Sequence, residues 1–381
     1  MQQVYLDYNA TTPLDEGVLE AMLPYLREQF GNPSSVHATG RLARAAIDRA
    51  RQQVAELVGV APGQVIFTSG GTEANNLALW ARCAAAKAPG RLAVSAIEHP
   101  SVLAPAEAWA ARGWQLDRLP VDADGRLQMA ALERSLASGT ELVSVMLANN
   151  ETGVLQDIPA IAGRVRAAGA VLHTDAVQAA GKLPLDFAAS GAGLMSLSAH
   201  KIYGPKGVGA LIVDRALELV PLLVGGGQER GLRAGTENLA GIVGFGAAAE
   251  LARQRLRQDA ERLRALRERL EEQLAALPGV SLFARAAPRL PNTLQLALDG
   301  IDGEALLLQL DREGLAVSSG SACSSGSTEP SHVLTAMGVE AQRARGAIRI
   351  SLGRHSSEAD IDRLVGVLRR QQEWAARAAA W

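Results

Sequence analysis

"VIFTSGGTEANN", residues 65–76, runs four apolar or β-branched residues into two glycines and then opens a stretch with helical spacing. A strand, a glycine turn and a helix form the opening unit of a parallel sheet, because a helix must carry the chain back before the next parallel strand can begin. The alternation repeats downstream. "RLAVSAIEH" (91–99), "ELVSVMLANN" (141–150), "AVLHTDAVQ" (170–178), "LMSLSAHK" (194–201) and "GVGALIVD" (207–214) read as buried strands. Between the earlier ones, "EANNLALWARCAAAK", "SVLAPAEAWAARG", "MAALERSLAS" and "IPAIAGRVRAAG" carry helical spacing. The fold class is therefore α/β, a largely parallel sheet covered on both faces.

The remainder has another character. After "GTENLAG" (235–241) a long helical pattern runs to about residue 279. Beyond it come "PNTLQLAL" (291–298), a helical "DGEALLLQLDREG" (302–314), a serine and glycine loop, a strand-like "GAIRISLG" (346–353) and an amphipathic helix opened by the capping box "SEAD" (357–360). That is the composition of a second, smaller α+β unit, and 381 residues are enough for two or three domains.

A net charge of −2 gives no electrostatic reason to expect nucleic acid or an anionic membrane as partner. The arginines of "RQRLRQDAERLRALRERLEEQ" (253–273) interleave with acids at i,i+3 and i,i+4 spacings and read as the solvated face of the long helix. No apolar run is long enough to span a bilayer, and the start lacks the pattern of a signal peptide, so the expected location is cytoplasmic. Two cysteines make neither a disulfide framework nor a four-thiolate zinc site. Cys83, in an apolar helical pattern, reads as a core residue. Cys323, in "SSGSACSSGS" (318–327), does not.

Lysine is scarce: only residues 87, 182, 201 and 206 among 38 basic positions. A lysine kept where arginine is otherwise the rule points to chemistry that a guanidinium cannot do, and two of the four lie in "SLSAHKIYGPKG" (196–207). In parallel sheets the loops after the strands hold the ligands. Polar residues gather there in "TSGGTE", "IEHPS", "LANNETG", "TDAVQ" and "SAHK"; each alone reads equally as a helix cap or turn, but all five fall along one sheet. The glycine turn at 70–71 could seat an anion on a helix N-terminus. Lys201 could be a surface lysine, a phosphate ligand or an imine former. Asp175, ending a buried strand, caps the next helix or pairs with a buried cation such as a protonated pyridine nitrogen. Phosphate cradle, imine lysine and buried aspartate are together the attachments that pyridoxal phosphate needs.

On these residues the chain resembles a cysteine desulfurase of the NifS/IscS type, within the aminotransferase class V branch of fold-type I pyridoxal phosphate enzymes. The resemblance runs through "YLDYNATTP", "FGNPSSVHATGR", "TSGGTEANN", "EHPSV", "NNETG", "HTDAVQ", "SAHKIYGPKG", "GGGQERGLRAGTEN", "SSGSACSSGS" and "IRISLGR", in the family's order. It implies a seven-stranded-type large domain at 14–254 that binds pyridoxal 5'-phosphate. A small α+β domain, formed by 1–13 and 255–381, would carry the cysteine loop 318–328. Lys201 would hold the cofactor as an imine, with Gly71, Thr72, Ser198 and His200 on its phosphate. Thr236 would reach the neighbouring subunit's site in a homodimer. Asp175 would pair with the ring nitrogen and Gln178 with the ring hydroxyl oxygen, while Asn150 would contribute to both cofactor and substrate sites. His99 would lie over the ring and move protons; Asn32, Asn150 and Arg349 would hold the carboxylate of L-cysteine. Ala199 departs from a position where serine is common and leaves the backbone contact intact.

The same resemblance gives Cys323 its place. A thiolate takes sulfur from the substrate, becomes a persulfide and leaves alanine behind. A loop of serines and glycines forms no core and lets the thiol travel to an acceptor, expected to be an iron–sulfur scaffold protein or a small sulfurtransferase. No intrinsic metal is expected, although Cys323 could transiently ligate a cluster on a scaffold partner. His37, His173, His332 and His355 have no metal-site spacing. An aminotransferase would share Lys201, Asp175 and Arg349 without using Cys323; a selenocysteine lyase would follow the same steps; a non-catalytic scaffold would have no need of Lys201.

Overall fold

The computed structural model describes residues 3–319 and 329–378. Its centre is a seven-stranded sheet in the spatial order Val65–Thr68, Gly209–Val213, Leu194–Ser198, Val171–Asp175, Thr140–Ser144, Arg91–Ser95, Gln115–Leu119. Only Gly209–Val213 runs against its neighbours. Both faces are buried, which is why the strands read as continuous apolar runs. Along Gly209–Val213, Ala210 and Ile212 join one core while Leu211 and Val213 join the other, the two-residue period of a strand.

One face carries helices Glu16–Arg27, Ala38–Leu57, Ile158–Ala167 and the start of the long helix Leu239–Ala275; the other carries Gly71–Cys83 and Pro100–Ala110. Cys83 lies in the latter core, where burial pushes its thiol up to about 12. The six strands read from the sequence are all present. The seventh, Gln115–Leu119, escaped because it is the sheet edge: its "QLDRL" is partly exposed and its charges pair with Arg91 and Glu107 rather than a core.

The second unit is a four-stranded antiparallel sheet, Ser318–Ser319, Ala347–Ser351, Thr293–Leu298, Val280–Leu282, backed by helices Gly303–Arg312 and Glu358–Ala378. Ser357 and Asp360 close the expected capping box: each backbone N–H meets the other's side chain, at 2.8 and 3.3 Å. The long helix serves both cores, the first through Ala252 and the second from Leu263 onward. Its arginines do less for the helix itself than their spacing promised. Arg257 pairs with Glu261 on the same surface, but Arg269 reaches Asp362 and Arg262 donates to the carbonyls of Gly353, Arg354 and Ser356. No described helix is long and apolar enough to cross a membrane.

The N-terminus ties the units together. Val4–Tyr5 pairs in parallel with Leu315–Ala316, and Asp7 bridges to Ser351. This lays residues 7–12 across the C-terminal ends of the large sheet's strands, where Thr12 N–H donates to the His200 carbonyl.

Candidate active site

At those strand ends a cavity of about 370 Å³ collects Gly71, Thr72, Asn75, His99, Asn150, Asp175, Gln178, Ser198, His200, Lys201 and, from the small sheet, Arg349. The five polar clusters of the sequence thus converge. Three polar cavity residues belong to motifs recognised in the sequence but were given no role there: Asn9, Asn75 and Ser101.

Three features coincide at the Gly71 end of the cavity. Helix Gly71–Cys83 begins at Gly70 with no side-chain cap. Gly71 leaves no space for more: an added Cβ would lie 2.9 Å from Val177 Cγ2. The Ser198 hydroxyl is buried without a protein partner among the described residues. An uncapped helix N-terminus, a close-approach glycine and an unsatisfied hydroxyl fit a phosphate, which would supply the missing acceptors. His200 stands beside them with Nδ1 3.2 Å from Thr11 Oγ1; burial and the nearby lysines push its pKa down to about 4, so it enters the site neutral.

Asp175, 6% exposed, divides its oxygens. Oδ1 accepts from Val177 N–H at 2.9 Å, the local turn bond, and Oδ2 accepts from Asn75 Nδ2 at 2.7 Å. The same Asn75 nitrogen donates to Ser101 Oγ at 2.8 Å, and Ser101 Oγ lies 2.7 Å from His99 Nδ1. His99 Nδ1 also accepts the Ser101 backbone N–H at 3.1 Å, capping helix Pro100–Ala110. With Nδ1 an acceptor, the imidazole hydrogen sits on Nε2. Burial lowers the His99 pKa against the pull of Asp175, and the charges of Lys201, His332 and Arg349 lower it further. A neutral, fixed tautomer results, linked through Ser101 and Asn75 to Asp175.

Lys201 follows the strand Leu194–Ser198 and donates to the carbonyls of Asn9 and Ala10, the latter at 2.7 Å. Arg349, on Ala347–Ser351, donates to Asp7 Oδ1 at 2.7 Å and the Asn150 carbonyl at 3.0 Å. Its Nε is buried without a partner among the described residues. Asn32 and Thr236 stay outside the cavity: both are exposed, Asn32 accepting from Ser34 N–H and Thr236 lying in a separate recess with Arg233 and Glu237. Cys323 falls outside the described residues, but both stems of its segment adjoin the cavity. Ser318 pairs in register with Arg349; on the other side Ser331 donates to Glu151, and His332 Nε2 lies 3.0 Å from the Glu98 carbonyl.

The aminotransferase class-V family profile matches residues 4–364. A cysteine desulfurase of Gluconacetobacter diazotrophicus is 47% identical over 372 residues, covering 97% of this chain and 93% of that protein. A solved NifS-like protein superposes with a TM-score of 0.92 at 36% identity, covering 98% of this chain and 100% of that one. A structure of SspA in complex with cysteine superposes with a TM-score of 0.82 at 35% identity, covering 93% and 99%. The chain belongs to the aminotransferase class-V family and, within it, to the cysteine desulfurases.

Proposed function

We propose that this protein is a cytoplasmic cysteine desulfurase dependent on pyridoxal 5'-phosphate. Sulfur passes from L-cysteine to Cys323: the substrate's C–S bond breaks, an S–S bond forms on Cys323, and the released carbon skeleton is protonated to L-alanine. The persulfide then goes to an iron–sulfur scaffold protein or a small sulfurtransferase. What carries the reading is the meeting of Lys201, Asp175, His99 and Arg349 in one cavity beside the stems of the Cys323 segment.

The residues present fit the cofactor. Gly71, Thr72, Ser198 and His200 would hold its phosphate, Lys201 its aldehyde carbon, Asp175 its ring nitrogen and Gln178 its ring oxygen, with Asn150 alongside. When bound, it supplies an electron sink for the pair left at the substrate α-carbon. The chain supplies the rest. Lys201 Nζ, as free amine, takes the α-proton. His99 presents its Nε2 hydrogen as a donor and, being neutral, brings no standing charge into the site. Arg349 and Asn150 orient the substrate carboxylate, which competes with Asp7 for the guanidinium fork. The Cys323 thiolate is the nucleophile.

Asn32 and Thr236 belong to the same reading through a second copy of the chain. Phe30, Val36 and Val224 are 79%, 88% and 79% exposed beside them, an apolar surface that a homodimer would cover. Burying it would carry Thr236 toward the partner's cavity.

The test is alanine and sulfide release from L-cysteine with a reducing thiol, for wild type and Cys323→Ala. Equal yields from the wild type, lost in the variant while its visible cofactor absorption persists, are expected. A fully active variant would remove Cys323 as carrier and favour the lyase or aminotransferase reaction. A wild type with no visible band in pyridoxal phosphate would sink the reading altogether.

A further inference from the structure

Of the four lysines, one has no part in the reaction as derived and yet lies deepest. Lys182 is 8% exposed, and no carboxylate lies within ion-pair distance of it among the described residues. Burying a lone ammonium is costly, and the environment shows it: burial, with the charges of Lys201 and Arg349, pushes its pKa down to about 7. The site nevertheless matches an ammonium closely. Three N–H donors meet three acceptors, Gln178 Oε1 at 2.9 Å, the Gln178 carbonyl at 3.1 Å and Asn9 Oδ1 at 3.3 Å. A guanidinium, with five donors in a fixed plane, would leave some of them unsatisfied, which accounts for lysine in a chain that otherwise favours arginine.

The consequence falls on Gln178, which lines the cavity. A glutamine amide can ordinarily turn over, exchanging its oxygen and nitrogen. Here one end faces Lys182 Nζ, which as an ammonium can only donate, so in that form the end is oxygen. The nitrogen then faces Asn9, donating one hydrogen to its carbonyl at 2.9 Å, and the second hydrogen is left for the cavity. We propose that Lys182 is a positioning residue that locks the Gln178 amide with its N–H toward the cavity, so that the site accepts an anionic ring oxygen there and rejects a hydroxyl donor. The inference rests on the cofactor reading above and adds a residue that acts through Gln178 without touching the ligand.

The experiment uses apo-enzyme reloaded with pyridoxal phosphate. It reads two quantities: the dissociation constant by absorbance titration, and the apparent pKa of the visible band. Lys182→Met keeps the stem and removes the donor. It is expected to weaken cofactor binding about tenfold and to raise the apparent pKa by about one unit, since both the ordered N–H and a nearby cation favour the deprotonated form. Gln178→Ala should weaken binding similarly, and the double variant should lose little more than either single one. If Lys182→Met does not fold, Lys182→Leu, which also lacks a donor, carries the same readouts. Wild-type affinity and pKa in either lysine variant, or losses that add in the double variant, would overturn the proposal. A wild type that binds no pyridoxal phosphate would instead overturn the functional reading, and this inference with it.

Discussion

Replacing Asn75 with leucine is the sharpest test of the network beneath the site. The side chain is 1% exposed and its nitrogen makes two bonds, at 2.7 Å to Asp175 Oδ2 and 2.8 Å to Ser101 Oγ. Leucine preserves the volume and removes both donors. A hydrogen bond to a charged acceptor is worth roughly 1.5–3 kcal/mol and one between neutral groups roughly 0.5–1.5, so the cofactor-free protein should lose about 2–4 kcal/mol. The molecule supplies its own reporter. Trp80 lies on the same helix as Asn75, with ring centroids 5.4 Å from Trp109, which in turn lies 6.0 Å from Trp114. Urea unfolding followed by tryptophan fluorescence, at one fixed protein concentration because a dimer would make the midpoint concentration-dependent, reads the loss on the face of the sheet where it arises. Asn76→Leu is the control: among the described residues the Asn76 side chain bonds only to the carbonyls of Thr72 and Ser101, and its loss should change stability by less than about 0.5 kcal/mol. A loss below about 1 kcal/mol at Asn75, or an equal loss at Asn76, would refute the claim that Asn75 holds Asp175 and Ser101 together.

Two further expectations concern buried charge. Arg51 and Glu229 form a two-pronged pair at 2.6 and 2.7 Å under the strand Val65–Thr68, so Arg51→Met should cost about 3–5 kcal/mol by stranding the carboxylate, while Arg51→Met with Glu229→Leu should recover much of it in the same denaturation assay. His173 is fully buried between Ser144 and Ser196, and burial pushes its pKa down to about 4. The unfolded chain takes up the proton near 6.5, so the stability from keeping His173 neutral is present above that pH and fades toward 4, amounting to about 2 kcal/mol between pH 7 and 5. Glu98, whose carboxyl burial raises well above its ordinary value, pulls the other way over that range. The measurement is therefore the difference in urea midpoint slope between wild type and His173→Gln; equal slopes would contradict it.

Much of the fold could be read in advance because buried parallel strands announce themselves as apolar runs between helical spacings. The edge strand Gln115–Leu119 could not, since its residues satisfy solvent and ion pairs as well as a sheet. The site divides in a similar way. Residues with one decisive chemistry, Lys201, Asp175, His99 and Arg349, could be picked out, and the cavity unites them. The residues that hold them in place were out of reach, because an asparagine or serine has no signature until its partner is known, and the partners are far off in sequence: Asn75 bonds Asp175 across 100 positions, and Asn9 bonds Thr293 across 284. Nor did the choice between cap and functional group need to be made. Asp175 closes its local turn with one oxygen and takes Asn75 with the other, and His99 caps its helix with the same nitrogen that fixes its tautomer.

Asn9 shows what such a residue does for the whole. Its backbone N–H and side chain bond Ser351, Thr293 and Asn292 of the small sheet and its margin, while its carbonyl and amide oxygen receive Gln178, Lys201 and Lys182 from the large one. Its Nδ2 also donates to the Asn150 carbonyl, the atom that Arg349 grips from the other side. The lysine read as the cofactor's anchor and the arginine read as the substrate's clamp are therefore held, through one buried asparagine, to a common frame. Because that frame is made of hydrogen bonds whose donors and acceptors are already matched, shifting the small unit against the large one would break several of them at once. The proposed active site is for that reason a property of the junction, and a change at Asn9 should disturb the proposed cofactor and substrate contacts together.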